Sequence, residues 1–276
     1  MLNLLRASLR LIRLAGHLGR GLLKSARLRR RHGEHWHQSP EGQATIQQWM
    51  QGLTRILALR VEVPLEALPV PAMIAANHIS WLDVIAIASV RPAQFLAKEE
   101  VRRWPLIGPL AARSGTRFIQ RNRASALFES NQHLCHALRL RQHVVIFPEG
   151  TTSDGRRVDA FHPALFEAAR RAYCPIQPLA IRYRRDGAHD DIAPYTGDDL
   201  FITHLWRILA RPETHVELRF LPPLSSRAHR RELAAECRAL IVTELDRKAM
   251  PVLDPLPRAR PKASLGRETA LTQEGA

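Results

Sequence analysis

Cysteine, long apolar runs and, near the N-terminus, acidic residues are scarce in this chain of 276 residues. The three cysteines, Cys135, Cys174 and Cys237, form no C-x-x-C pair, which disfavours a zinc ribbon or a disulfide framework and favours a reducing compartment. The longest apolar runs, such as residues 84–90, are far shorter than the roughly 18 residues of a membrane span. Too many arginines interrupt the N-terminus for a secretory signal peptide. We therefore expect an intracellular protein without a transmembrane helix.

The charge balance points to an anionic partner. Lys and Arg number 41 against 26 Asp and Glu, which gives a net charge of +15. Such an excess favours nucleic acid, anionic lipid or phosphorylated ligands. Aromatic residues make up only 6% and are not interleaved with basic residues, as a base-stacking surface would require. We therefore expect an anionic membrane or a phosphorylated ligand, and no nucleic acid.

The N-terminal arm, residues 1–36, concentrates this charge. Residues 1–31 carry nine Lys or Arg and no acid. Basic residues recur at steps of three and four, which draws one stripe along a helix: Arg6, Arg10, Arg13, His17, Arg20, Lys24 and Arg27. Leucine and alanine occupy the opposite side. Such an amphipathic helix suits the surface of an anionic bilayer; the alternative is a helix that packs on its own domain with a solvated basic face.

The middle of the chain alternates short apolar runs with helical patterns. Predicted strands at residues 73–76, 94–97, 116–120, 144–147 and 176–183 are separated by predicted helices, the first at 80–90. This order predicts an α/β domain over residues 37–250, with a mixed, largely parallel sheet flanked by helices. Pro175, just before the run 176–183, and Pro178 within it are typical of an edge or bent strand. Residues 251–276, rich in proline, are predicted to be a disordered tail.

The segment NHISWLD places a histidine at the end of a predicted strand. Positions five apart on one helix lie about 140° apart and do not meet. If His78 lies in the loop before the helix, however, Asp83 in the first turn reaches back to it. A carboxylate on one imidazole nitrogen fixes the tautomer and leaves the other nitrogen as a general base. The alternative is purely structural: His78 caps the helix, while Ser80 and Asp83 form a variant of the capping box.

Three further segments contain candidate functional residues, but each segment alone is only a weak indication of function. GTRFIQR ends a predicted strand with Arg121, and a guanidinium binds phosphate well. FPEGTTS follows the strand at 144–147, and ligands bind at the carboxyl ends of strands in open α/β sheets. There Glu149 adds a carboxylate, Gly150 allows close backbone approach, and Thr151 adds a hydroxyl. The fourth segment, CPIQPLA, has little chemical content of its own. Surface charges and a polar turn are the ordinary alternatives.

In their order and spacing the four segments resemble the glycerolipid acyltransferase family, whose central member is 1-acylglycerol-3-phosphate acyltransferase. The family pattern N-H-x4-D, G-x-x-F-I-x-R, F-P-E-G-T-R-S and V-P-I-x-P-V-A is matched here by NHISWLD, GTRFIQR, FPEGTTS and CPIQPLA. The resemblance covers residues 72–181, about 40% of the chain. It implies that His78 is the catalytic base and that Asp83 is its partner.

The resemblance also assigns the acceptor site, with one departure. It implies that Arg121 and the turn formed by Glu149, Gly150 and Thr151 hold the glycerol phosphate acceptor. Thr152 stands where the family has arginine. One phosphate contact is therefore missing, which leaves the identity of the acceptor open; Arg156 and Arg157 are the nearest downstream arginines that can replace it.

The implied activity is transfer of a fatty acyl group from acyl-CoA or acyl carrier protein to the hydroxyl of a lysophospholipid. The first acceptor is 1-acylglycerol-3-phosphate, which would give phosphatidic acid; another lysolipid, such as lyso-ornithine lipid, is the alternative. A third interpretation is a non-enzymatic basic adaptor for membranes, if His78 and Asp83 are only structural. We expect no metal and no cofactor, because no ligand set with suitable spacing is present. Since acyl donors are cytosolic, we expect peripheral binding to the cytoplasmic face of the inner membrane.

Overall fold

The computed structural model describes residues 1–65, 70–103, 107–119, 124–197 and 199–247. The predicted tail, residues 251–276, and the predicted acceptor-site residue Arg121 lie outside the described residues. The α-helices in the described part are α1 Leu2–His32, α2 Pro40–Leu57, α3 Leu82–Val90, α4 Glu99–Arg102, α5 Ile107–Arg113, α6 Ala124–Arg139, α7 Glu167–Ala172, α8 Phe201–Ala210 and α9 Arg230–Asp246. The strands there are β1 Leu59–Leu65, β2 Met73–Ala76, β3 Gln94–Lys98, β4 Arg117–Ile119, β5 Val144–Ile146, β6 Ile176–Arg185, β7 Ala188–His189 and β8 Thr214–Phe220.

The strands form one mixed sheet. Its order is β1-β8-β6-β2-β5-β3-β4, and β7 pairs with β6. Strands β6, β2, β5, β3 and β4 are parallel to one another, whereas β8 runs antiparallel to β6 and parallel to β1. The predicted α/β class, with a mixed and largely parallel sheet flanked by helices, is therefore confirmed.

The central strands are apolar on both sides because helices cover both faces of the sheet. Along β2, Ile74 and Ala76 pack into a cluster with α3 and α8, whereas Met73 and Ala75 pack into a second cluster with α6 and α9. All four side chains are fully buried. Short, continuous apolar runs are what parallel strands between two helical layers require. The arrangement directs the carboxyl ends of β2 and β5 to one edge of the sheet.

Of the two alternatives for CPIQPLA, an edge strand or a bent strand, the edge strand is wrong, and the bend stays a prediction. Strand β6 lies inside the sheet, between β2 and β8. Pro175 precedes the strand and only accepts a bond, from the N–H of Met73. Pro178 lies before the antiparallel ladder with β8, which begins at Leu179 and Phe220, and its carbonyl accepts from Leu221 N–H. The missing proline N–H groups therefore fall outside that ladder, which is why an internal strand tolerates both residues.

Helix α1 packs on the rest of the unit, which spans Met1–Asp246, through contacts with α2, α5 and α8. Arg6 donates a bond of 2.9 Å to the carbonyl of Ala210, and Arg10 donates one of 3.1 Å to that of Leu209. Part of the predicted basic stripe thus binds the C-terminal end of α8. Large apolar side chains of α1 stay exposed: Leu2, Leu4, Leu5, Leu9, Leu11, Ile12 and Leu23.

Candidate active site

The loop after β2 is fixed at its start by Asn77. This buried side chain donates to the carbonyl of Ile181 (3.0 Å) and accepts from the N–H of the same residue (2.8 Å). The amide thus continues the pairing between β2 and β6 by one step after the backbone of β2 has turned away. Residues 78–81 then lead into α3, and His78 lies where sequence reasoning placed it, in the loop before the helix.

The predicted contact between His78 and Asp83 is confirmed. Nδ1 of His78 lies 2.8 Å from Oδ2 of Asp83, whose side chain is fully buried, whereas the His78 side chain is 17% exposed. The same Oδ2 accepts the backbone N–H groups of Ile79 (2.8 Å) and Ser80 (3.0 Å). Half of the capping box is therefore also present, because Asp83 accepts the N–H of Ser80, whereas the Ser80 hydroxyl makes no hydrogen bond to any described residue. Because Asp83 accepts from Nδ1–H, Nε2 is the acceptor nitrogen of the neutral ring.

A residue that the sequence analysis did not predict binds the second oxygen of the Asp83 carboxylate. The hydroxyl of Tyr183, on β6, donates a bond of 2.7 Å to Oδ1 of Asp83. Tyr183 is buried, and its burial, followed by the charge of Asp83, raises its pKa well above the usual value. The hydroxyl therefore stays protonated and remains a donor. Each oxygen of Asp83 is thus bonded, and the carboxylate cannot rotate without breaking several hydrogen bonds.

The turn after β5 supports His78 from the other side. The ring of Phe147 stacks on the imidazole with centroids 3.9 Å apart and planes 16° apart. Glu149 accepts the backbone N–H of His78 at one carboxylate oxygen (2.7 Å) and that of Asp159 at the other (2.8 Å). Burial raises the pKa of Glu149, against the lowering effect of these two N–H groups. Glu149 thus holds the loop of His78 in place, and its predicted contact with an acceptor stays a prediction.

The other predicted residues of this turn differ in exposure. Gly150 has a φ of +79°, a left-handed conformation that favours glycine, and its N–H closes the turn to the carbonyl of Phe147. Thr151 is exposed at the surface. Thr152, the departure from the family pattern, donates its hydroxyl to the carbonyl of Tyr195. The turn is therefore bound to the segment that precedes α8.

Arg156 and Arg157, which the sequence analysis considered as replacements for the arginine missing at position 152, each contact a carboxylate of the chain itself. Arg156 pairs with Asp191, and Arg157 lies 3.4 Å from a carboxylate oxygen of Asp159. Both guanidinium groups are exposed and bind carboxylates of the chain itself. The role in phosphate binding that sequence reasoning considered for them therefore gains no support.

An aromatic cluster joins the His78 loop to α8. The indole N–H of Trp81 donates to Nδ1 of His204 (3.0 Å), whose Nε2 lies 3.0 Å from the carbonyl of Pro194. Burial lowers the pKa of His204, so the ring is a neutral link between the two. The ring of Phe201 lies edge-on to Trp81 at 5.4 Å, and the N–H of Tyr195 donates to the carbonyl of Ile79. The first turn of α8 is therefore packed beside the loop that carries His78.

Known proteins are similar to this chain over the segment that contains the candidate active site. Residues 60–182 match the family model described as Acyltransferase. A lyso-ornithine lipid O-acyltransferase of Pseudomonas aeruginosa is 38% identical over 214 residues, which are 77% of this chain and 83% of that protein. This chain belongs to the glycerolipid acyltransferase family. A 1-acyl-sn-glycerol-3-phosphate acyltransferase of Neisseria gonorrhoeae is 34% identical to this acyltransferase over 165 residues, 60% of this chain and 65% of that protein.

A solved structure resembles this acyltransferase in fold. The crystal structure of the 1-acyl-sn-glycerophosphate (LPA) acyltransferase PlsC from Thermotoga maritima has a TM-score of 0.63, with 21% identity, over 90% of this chain and 98% of that chain. The family match at residues 60–182 contains His78, Asp83 and the turn at 147–152, and it ends one residue before Tyr183. Tyr183 thus bonds to Asp83 in space but lies outside the matched segment.

Proposed function

We propose that this acyltransferase moves a fatty acyl group from a thioester donor, acyl-CoA or acyl carrier protein, to the hydroxyl of a lysolipid. The observation that carries the proposal is the pairing of His78 Nδ1 with the buried carboxylate of Asp83 at 2.8 Å. This pairing leaves Nε2, on a partly exposed ring, as the proton acceptor. A hydroxyl is a poor nucleophile near neutral pH and needs such a base within hydrogen-bond reach.

The chemistry follows from that ring. Nε2 takes the proton of the acceptor hydroxyl while the oxygen attacks the carbonyl carbon of the thioester, and a tetrahedral oxyanion forms. When the C–S bond breaks, the imidazolium returns the proton to the departing sulfur, which leaves as a thiol, and the new ester remains. Asp83 stabilises the imidazolium through both its charge and its fixed position. Tyr183, Ile79 and Ser80 keep the carboxylate in that position.

Of two acceptors, lyso-ornithine lipid has the stronger support, with 1-acylglycerol-3-phosphate as the second candidate. The relative named for the former covers more of this chain, at higher identity, than the relative from Neisseria gonorrhoeae named for the latter. Thr152 also replaces the arginine of the family pattern and donates its hydroxyl to a backbone carbonyl. A missing guanidinium weakens the case for a phosphate dianion more than for ornithine, whose head group carries a carboxylate and an amine.

A panel of acceptors tests the proposal directly. Purified protein is incubated with labelled acyl-CoA, or labelled acyl carrier protein, and with each lysolipid in turn. Product formed with lyso-ornithine lipid, at a higher kcat/KM than with 1-acylglycerol-3-phosphate, is the expected result. The reverse order would select the second acceptor. Absence of product with every lysolipid and both donors would favour the non-enzymatic adaptor.

We also propose that α1 brings the enzyme to the cytoplasmic face of an anionic inner membrane as a peripheral protein. The exposed apolar side chains of α1 lie on the same helix as seven exposed cations: Arg13, Arg20, Lys24, Arg27, Arg29, Arg30 and Arg31. Among the described residues, no helix has both the length and the apolar character needed to cross a bilayer. Apolar insertion and attraction to anionic lipid together describe a helix that lies on the surface.

Removing two apolar side chains from α1 is expected to weaken vesicle binding. The double variant Leu5→Ser and Ile12→Ser should raise the dissociation constant for phosphatidylglycerol-containing vesicles at least about 10-fold, since each buried apolar side chain contributes about 1.5–3 kcal/mol. Co-sedimentation measures it. The control pair Phe128→Ser and Leu140→Ser changes two exposed apolar side chains outside α1 and should bind normally. High salt should weaken wild-type binding only in part, because screening leaves apolar contacts intact. Equal binding of both double variants would exclude α1 as the docking helix.

Tyr183→Phe is expected to reduce kcat about 10-fold with little change in KM for either substrate. The hydroxyl is buried and donates to Asp83, so we expect its loss to act through the position of the carboxylate. A hydrogen bond to a charged group contributes about 1.5–3 kcal/mol, and the free energy of unfolding should fall by a similar amount. Tyr173→Phe, at an exposed site, is the matched control. A change in KM alone would argue against the positioning role.

A further inference from the structure

Helix α8 presents large apolar side chains to solvent. Leu200, just before the helix, and Ile202 are each 73% exposed, and Trp206, one turn further, is 37% exposed. The other side of the helix, with His204 and Ile208, is buried in the core, and Leu209 is buried at its C-terminal end. We call Leu200, Ile202 and Trp206 the α8 face. Exposed large apolar side chains grouped at one short helix are a candidate contact surface.

The α8 face lies between the candidate active site and the arm. At its N-terminal end, α8 packs against Trp81 of the catalytic loop through Phe201 and His204. At its C-terminal end, the carbonyls of Leu209 and Ala210 accept bonds from the arginines of α1. A single helix of 10 residues therefore touches both the loop of His78 and the membrane-directed helix.

We propose that the α8 face inserts into the boundary between head groups and acyl chains of an anionic bilayer. The enzyme would then dock through α8 as well as α1, with the loop of His78 next to the lipid surface. This inference rests on the proposed function only in supposing that the substrate is a membrane lipid. Tryptophan and branched apolar side chains suit this boundary, because the indole has an apolar body and one N–H donor.

Charge favours a bilayer over a protein surface as the occupant. Residues 1–31 of the adjacent helix carry nine cations and no acid, and the whole chain has a net charge of +15. On α8 itself, Arg207 pairs with Asp199 at 2.6 Å and adds little net charge. A second copy of the chain would bring one cationic arm against another, which costs electrostatic free energy. An anionic lipid surface instead complements the arm while the apolar side chains of both helices are buried.

Replacing two residues of the α8 face tests the proposal. The double variant Ile202→Ser and Trp206→Ser is compared with wild type and with the control pair Phe128→Ser and Leu140→Ser. The probe is vesicles of phosphatidylcholine with phosphatidylglycerol. We expect the α8 variant to bind at least about 10-fold more weakly and to lose a similar factor of activity on lysolipid in vesicles. Activity on lysolipid dispersed in detergent micelles should stay within about twofold, and the control pair should match wild type.

A second measurement does not depend on how the serine variant folds. Lipids brominated near the head of the acyl chain quench a tryptophan that lies at that depth. Wild-type fluorescence should be quenched on binding, and Trp206→Phe, which keeps the face apolar, should bind normally and show clearly less quenching. Unchanged quenching in Trp206→Phe, or unchanged vesicle binding in the serine variant, would overturn the proposal.

Two further outcomes distinguish membrane docking by the α8 face from a dimer interface and from the proposed acyltransferase function. If wild type is a dimer by light scattering and the serine variant is a monomer with normal vesicle binding, the α8 face is an interface between copies and the proposal is wrong. If no lysolipid is acylated but the serine variant still loses vesicle binding and Trp206 is still quenched, the docking surface is supported and the proposed function fails. The two ideas therefore fail on different measurements.

Discussion

Replacing His78 with alanine is expected to lower kcat by at least about 10²-fold, the low end of what general base catalysis contributes. The variant keeps the acceptor hydroxyl and the thioester in place but removes the nitrogen that takes the proton. Initial rates at saturating lysolipid and acyl donor measure the effect, because saturation excludes a change in binding. The fall should therefore be seen in kcat, with KM values changed much less.

The interpretation depends on an intact fold, which two controls establish. The His78 ring stacks on Phe147 and donates to the buried carboxylate of Asp83, so far-UV circular dichroism should match wild type, and the thermal midpoint should fall no further than in Tyr183→Phe, which removes another donor from the same carboxylate. His136→Ala, at an exposed position of α6, removes an imidazole elsewhere and should leave the rate unchanged. Near-normal turnover of a folded His78→Ala protein would mean that another group takes the proton.

The pairing of His78 with Asp83 was predictable because it is local. Five residues separate the two, and a strand, a loop and a helix N-terminus leave few ways to arrange them. The apolar run before His78 and the helical pattern after Asp83 set that order directly. Such geometry depends on backbone conformation over one turn, which a sequence pattern specifies well.

Tyr183 was not predictable by the same reasoning. Its bond to Asp83 joins residues 100 positions apart and depends on the register of β6 against β2, where Ala76 lies opposite Leu179. Leu179, Ile181 and Tyr183 alternate onto one face of β6 and share one core cluster. A shift of one residue would turn the hydroxyl to the other face of the sheet. Nothing in the strand's own sequence encodes that register.

The orientation of α1 shows a second limit. The period of its basic residues predicted a helix, and the helix is present, but the period did not reveal which side packs. The buried side includes Ala7, Leu14 and Gly21. A Cβ at Gly21 would lie 2.6 Å from the indole nitrogen of Trp49, so the glycine permits the close approach of α1 and α2. Glycine lowers helix propensity in an isolated helix, and the contact with the partner helix explains its place here.

Asp83→Asn is expected to lower kcat by at least about 10²-fold through loss of charge alone. In the wild type, Oδ2 accepts the backbone N–H groups of Ile79 and Ser80. These groups can only donate, so they keep the amide oxygen of asparagine at the Oδ2 position, and its NH₂ group faces the hydroxyl oxygen of Tyr183. His78 then still donates from Nδ1 and keeps its tautomer. The variant lacks the negative charge beside the imidazolium that forms during transfer.

The size of the effect follows from that charge. Two unit charges about 4 Å apart at an effective dielectric constant of 20 attract by about 4 kcal/mol, which corresponds to about 10³ in rate. Glu244→Gln is a control, because it removes a second buried carboxylate, which pairs with Arg219 and lies on α9, a helix that packs into the core cluster that does not contain Tyr183; it should destabilise the protein and leave kcat of the folded fraction nearly unchanged. Asp83→Ala removes charge and orientation together. If Asp83→Asn retained normal kcat while Asp83→Ala lost it, Asp83 would act by orienting His78, and the electrostatic part of the mechanism would be wrong.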